Sequence, residues 1–163
     1  MNLVKTKILC YFALCGFVVS LLVHISTFFI NPQEKIQGVM LIHVLCIVVL
    51  GLALNTAKKS NLNIVSLAPN TPTWIICLVI ISFIYTGINF MIFMALMKNG
   101  SPEIVNGSYA LTSHGQLIEY VTYKQFQRYQ AYEVRGFSGH WMFFFIAAYA
   151  VFYVNKIRET VGY

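Results

Sequence analysis

The chain has 163 residues, 58% of them hydrophobic and 10% charged, with a formal net charge of +6. Soluble domains carry about 25% charged residues, so the composition excludes an ordinary soluble globular protein. The cations stand in ones and twos beside apolar runs and form no stripe on a soluble face, which excludes a nucleic-acid partner.

Four apolar runs, 8–30, 38–54, 74–97 and 140–155, are predicted to be transmembrane helices. A hydrocarbon core about 30 Å thick takes roughly 20 helical residues, and a helix satisfies its backbone groups internally. The first run is longer than a signal-peptide core and leaves through Phe28, Phe29, Ile30, Asn31 and Pro32, so it is read as an anchor. Ala13, Gly16, Ser20, His24 and Thr27 recur along it at helical spacing. Such a face of small and weakly polar residues suits close helix contact in lipid. The short connection 31–37 favours an antiparallel neighbour, and that second run offers His43 and Cys46. Loop 56–73 is polar, with Pro69 and Pro72 and no catalytic grouping. The third run repeats the inward stripe as Ser82, Thr86 and Asn89, with Tyr85 beside it.

Segment 98–139 is predicted to be an external insert. Asn99 to Pro102 and Asn106 to Ser108 are turn-forming. Strands at 109–112 and 116–120 then flank Ser113, His114 and Gly115 as a β-hairpin. Thr122 and Gln125 match a capping box, which opens a helix to about Val134, stopped by Gly136. The stretch Arg135, Gly136, Phe137, Ser138, Gly139, His140, Trp141 follows. Here Ser138 is expected to cap the fourth run, and Trp141 to mark a membrane–water boundary. The predicted fold is an all-α membrane protein over 1–163: a four-transmembrane-helix up-down bundle with a small hairpin-plus-helix cap.

Lys5, Lys7, Lys58, Lys59, Lys156 and Arg158 lie at the ends expected inside. The positive-inside bias therefore places both termini in the cytoplasm and 98–139 outside. Cys10, Cys15, Cys46 and Cys77 all fall within apolar runs, so no disulfide framework is expected and they read as small hydrophobes.

The residues from Tyr109 to Ile118, the Tyr123-Lys-Gln-Phe126 start and the Arg-Gly-Phe-Ser-Gly-His-Trp-Met stretch at 135–142 resemble a widespread group of small bacterial inner-membrane proteins. Weaker similarity surrounds His24, His43 and Asn89. The resemblance implies a multi-pass protein of the bacterial inner membrane and brings no activity with it.

At about 1.5 Å per residue, His24, His43 and Asn89 lie roughly 8–12 Å below the outer ends of their helices, with His140 at the rim. This polar cluster has several readings. Imidazoles and Asn89 bond across helices; or His24, His43 and His140 ligate a transition metal or haem; or the group receives a small polar or lipid-headgroup ligand. Gly136 to Gly139 also resembles the serine motif of rhomboid-type intramembrane proteases, with Ser138 as nucleophile and His24 or His43 as base. A bound cofactor is not expected outside the metal or haem reading. Arg135 reads as part of a solvated rim or as a headgroup contact. The leading expectation is a non-enzymatic protein that binds or stabilises a partner or ligand through its outer cap. The candidate partners are membrane lipid and another membrane or periplasmic protein.

Overall fold

The computed structural model describes residues 3–63 and 68–161, so the middle of loop 56–73 lies outside the described residues. In chain order the elements are α1 (Leu3–Ser26), α2 (Pro32–Lys35), α3 (Leu41–Lys59), a 3-10 turn (Ala68–Asn70) and α4 (Thr73–Met97), followed by β1 (Ser101–Val105), β2 (Ser108–Ser113), β3 (Gln116–Tyr120) and α5 (Tyr123–Val161). By length and composition, α1, α3, α4 and α5 could each cross a membrane.

The long helices are arranged around α5. Each of the other three packs on it, while α1 and α3 hardly meet. In its most apolar window 56% of α5 is buried, against 28% for α1, 22% for α3 and 17% for α4. Side-chain size explains the arrangement. The central helix carries the bulk, with Trp141, Phe145 and Phe152 fully buried, and its neighbours present Ala13, Cys46 and Ala53. At Gly16 a Cβ would lie 2.5 Å from the Phe145 ring, so that ring is seated where α1 has no side chain. Small residues that admit a neighbouring helix are the usual means of packing helices in lipid. Leu22, Ile47, Ile81, Phe83 and Met91 face outward.

Three expectations are corrected here. First, α5 is one helix of 39 residues, and the break expected at Gly136 does not occur. Ser138 is therefore not a helix cap, since it sits in mid-helix where no first-turn N–H needs one. The glycines serve α4 instead: a Cβ on Gly136 would lie 2.5 Å from the Phe93 ring, and one on Gly139 2.5 Å from the Asn89 amide nitrogen. Second, Trp141 does not offer its ring to the surroundings as a boundary anchor would, but lies fully buried in the core. Third, the insert holds a three-stranded antiparallel sheet in the order β1-β2-β3, one strand more than the expected hairpin. The added strand, β1, contains Pro102, and proline is tolerated on an edge strand. Both two-residue turns, Asn106-Gly107 and His114-Gly115, have positive φ at each position, the requirement of a type I′ hairpin.

Thr122 opens α5 as the capping box requires: the Gln125 N–H donates to Thr122 Oγ1 at 3.3 Å, and the Thr122 N–H donates to Gln125 Oε1 at 2.8 Å. At the far end of α5 a polar node joins three helices. Asn155 Nδ2 and Thr6 Oγ1 donate to the Glu159 carboxylate at 3.0 and 2.8 Å, and Ser60 Oγ donates to Asn155 Oδ1. All four cysteines are free, with Cys10 and Cys46 buried and Cys15 and Cys77 exposed on the outer faces.

Candidate functional site

The polar residues singled out in the sequence converge on about two turns of α5, from Arg135 to Trp141, but they approach from different sides. His24, in the last turn of α1, places Nδ1 at 2.8 Å from Ser138 Oγ and Nε2 at 2.5 Å from Tyr85 Oη. One imidazole thus ties α1 to both α4 and α5. Ser138 Oγ also lies 3.1 Å from the Arg135 carbonyl, as its donor. A hydroxyl has one proton to give, and one proton order satisfies all members. Ser138 donates to the carbonyl, His24 Nδ1–H donates to Ser138, and Tyr85 O–H donates to His24 Nε2.

The α4 stripe acts on the backbone of α5. Asn89 Nδ2 donates to the carbonyls of Arg135 and Gly136 at 3.0 and 3.1 Å. Thr86 Oγ1 lies 2.9 Å from the Gly139 carbonyl and 2.8 Å from its own Ser82 carbonyl. Helical carbonyls are normally shielded by neighbouring side chains, and the two glycines remove that shield.

The remaining histidines look elsewhere. His43 Nδ1 accepts from Trp141 Nε1–H at 3.0 Å, and its ring stands edge-on to Phe137. Indole is a donor only, so His43 carries its proton on Nε2. His140 Nδ1 donates to the Gly136 carbonyl of its own helix at 3.1 Å and packs against Phe90 and Phe144. The three rings do not converge on one point: His24 meets Tyr85 and Ser138, His140 meets Phe90 and Phe144, and His43 meets Phe137 and Trp141. Among the described residues no three His, Cys, Asp or Glu side chains gather closely enough to hold a metal ion.

Ser138 and His24 meet the distance requirement of a nucleophile and base, and the rest of the constellation differs from a hydrolase. Ser138 is 0% exposed and His24 4%. The N–H groups around Ser138 belong to a helix interior, where each is committed to the carbonyl four residues earlier. The nearby side-chain donor, Asn89, is spent on carbonyls. Among the described residues no set of donors is left there to receive an oxyanion.

Two further residues complete the belt, and neither was placed in the polar cluster from sequence. Tyr85 is one; the signal was its place beside the Ser82, Thr86, Asn89 stripe. Arg135 is the other. Its Nε donates to Thr27 Oγ1 at 3.0 Å and its Nη2 to the Thr27 carbonyl at 2.8 Å. Its guanidinium lies 3.9 Å from the Phe28 ring centroid. A cation at the carbonyl end of α1 is favourable with the helix dipole, so Arg135 is better described as the clasp of α1 than as a solvated rim.

Beyond Thr27 the surface opens into a cleft of about 450 Å³ between the α1–α2 corner and the first turns of α5. Its wall includes Phe28, Phe29, Lys35, Tyr123, Lys124 and Arg128. Asn31 holds the corner in place: its Oδ1 accepts the Gln33 N–H at 3.1 Å, while its Nδ2 donates to Gln127 and Gln130 at 2.6 and 2.9 Å.

Comparison of the chain with family models, with curated proteins and with solved structures yields no match.

Proposed function

We propose that the chain is a multi-pass protein of the bacterial inner membrane, an up-down four-helix bundle with both termini in the cytoplasm. It is not an enzyme, and it binds a ligand or partner through its outer cap. The contacts of α5 support the alternation of direction. Thr6 with Glu159 and His24 with Ser138 make α1 antiparallel to it, Asn89 with Gly136 and Thr86 with Gly139 do the same for α4, and His43 with Trp141 and Ser60 with Asn155 make α3 parallel.

The observation that carries the functional reading is where free polar groups lie. Within the belt at 135–141 the side chains of His24, Ser138, Asn89 and Thr86 are used in joining helices. The cleft at the cap end is open and carries charged groups on its wall. Though shallow, this accessible depression offers a ligand polar groups beside apolar surface, the combination found in binding sites. The hydrolase reading has the 2.8 Å Ser138–His24 contact in its favour, and lacks access and an oxyanion site.

A photo-crosslinking amino acid at Phe29 tests the cap reading in cells. A discrete adduct is expected there and none at Ile81, on the outward face of α4. Equal, diffuse labelling at both positions would refute it.

A further inference from the structure

We infer that the cleft between the α1–α2 corner and the start of α5 binds the headgroup of an anionic phospholipid. This inference rests on the proposed cap-binding role and names its ligand.

Charge is the first ground. Lys35, Lys124 and Arg128 line the cleft against one carboxylate, Glu34. Glu34 is already engaged, 3.7 Å from Lys35 Nζ and accepting from Tyr123 Oη at 3.1 Å. Lys124 and Arg128 have no hydrogen-bond or carboxylate partner among the described residues. Their position is also unfavourable for the helix that bears them. The start of a helix prefers carboxylates, yet the first turn of α5 holds no acid and does hold Lys124. The Thr122–Gln125 capping box satisfies N–H groups there but brings no negative charge, and a local rule broken in this way is expected at functional places. An anion in the cleft would meet both cations and the positive end of the α5 dipole.

Depth is the second ground. Beside these cations the chain leaves α1 through Phe28, Phe29 and Ile30, which are 58%, 81% and 45% exposed. Such residues are stable when buried in acyl chains, so they set the cleft at headgroup level. A ligand there has a negative head beside Lys124 and Arg128 and an apolar tail beside Phe28 and Phe29, which describes a phospholipid better than a soluble phosphate.

The third ground is topological. In the proposed orientation these cations lie outside, against the positive-inside bias. They are therefore not topology signals and want another reason to be there.

The test uses the full chain in mild detergent with an equimolar mixture of phosphatidylglycerol and phosphatidylcholine, read by native mass spectrometry and thermal denaturation. Each basic residue near an anionic surface favours binding roughly fivefold, so phosphatidylglycerol should be retained about tenfold or more over phosphatidylcholine. It should also raise the melting temperature, whereas inorganic phosphate at the same concentration should not. The K124Q/R128Q double variant should lose the preference while melting unchanged in phosphatidylcholine alone, and K124R/R128K should keep it. K58Q/K59Q, at the opposite end, should bind as the parent does.

Equal retention of the two lipids, or an undiminished preference in K124Q/R128Q, would overturn the inference. Stabilisation by inorganic phosphate as strong as by phosphatidylglycerol would replace the lipid with a soluble anion and overturn it too. A protein adduct at Phe29 with no lipid preference would sink the headgroup site and leave the cap-binding role standing. Failure of both experiments would remove both.

Discussion

Gly136 and Gly139 show how much depends on the absence of a side chain. Each is the place where α4 reaches the backbone of α5, and a methyl group at Gly139 would sit 2.5 Å from the Asn89 amide nitrogen. Gly139→Ala must push Asn89 off two carbonyls, so it should destabilise the protein by about 1–3 kcal/mol, the range for overpacking. At Gly51 and Gly87 an added methyl group would meet nothing within 4 Å. Gly51→Ala and Gly87→Ala should therefore be neutral, or stabilising by up to about 1 kcal/mol through helix propensity. Thermal denaturation in detergent compares the three directly, and equal effects at all of them would contradict the packing account. Ser138 belongs to the same scale. Ser138→Ala leaves His24 Nδ1–H without its buried acceptor, at a cost of about 1–3 kcal/mol. Since Tyr85 holds the other ring nitrogen, Tyr85→Phe and Ser138→Ala should combine to less than the sum of their separate effects. A fluorophosphonate probe should not label the protein; labelling of the parent and not of Ser138→Ala would mean that the serine reacts.

At the scale of elements, the decisive feature is the continuity of α5. A 39-residue helix is about 58 Å long at 1.5 Å per residue, well beyond a hydrocarbon core of about 30 Å. It is therefore long enough to cross a membrane and still form the stem of the cap. Spin labels at Arg128 and Lys156 should give one narrow distance near 42 Å, from about 1.5 Å per residue. A broad distribution centred well below that would restore a break at Gly136. From sequence this continuity was hidden, because a Gly-x-Ser-Gly stretch after a polar amphipathic segment looks like a stop followed by a cap. What decides otherwise is tertiary: Phe93 and Asn89 come from 40 to 50 residues away and occupy the space that the glycines leave. The edge strand β1 was hidden for a similar reason, since Pro102 argues against a strand until β2 pairs with its other side. By contrast, Thr122 with Gln125 and His114 with Gly115 were legible, because capping and turn chemistry are local.

For the whole molecule, four helices with the length and apolarity to cross a membrane were legible from composition and run length. So was the inward face of α1 and α4, since Gly16, His24, Thr86 and Asn89 repeat at helical spacing. What no periodicity conveys is that α5 is the hub, or that His24, His43 and His140 face different neighbours on reaching it. Depth along a helix was readable, and rotation about it was not. Placing the cap outside rests on the lysines of the short segments, and the proposed outer-face binding role depends on that placement. Reporter fusions after Asn61, Gly107 and Val161 test it most directly, with one reporter active only outside the cytoplasm and another active only within. The account predicts an outside signal at Gly107 and cytoplasmic signals at Asn61 and Val161; a cytoplasmic signal at Gly107 would contradict it.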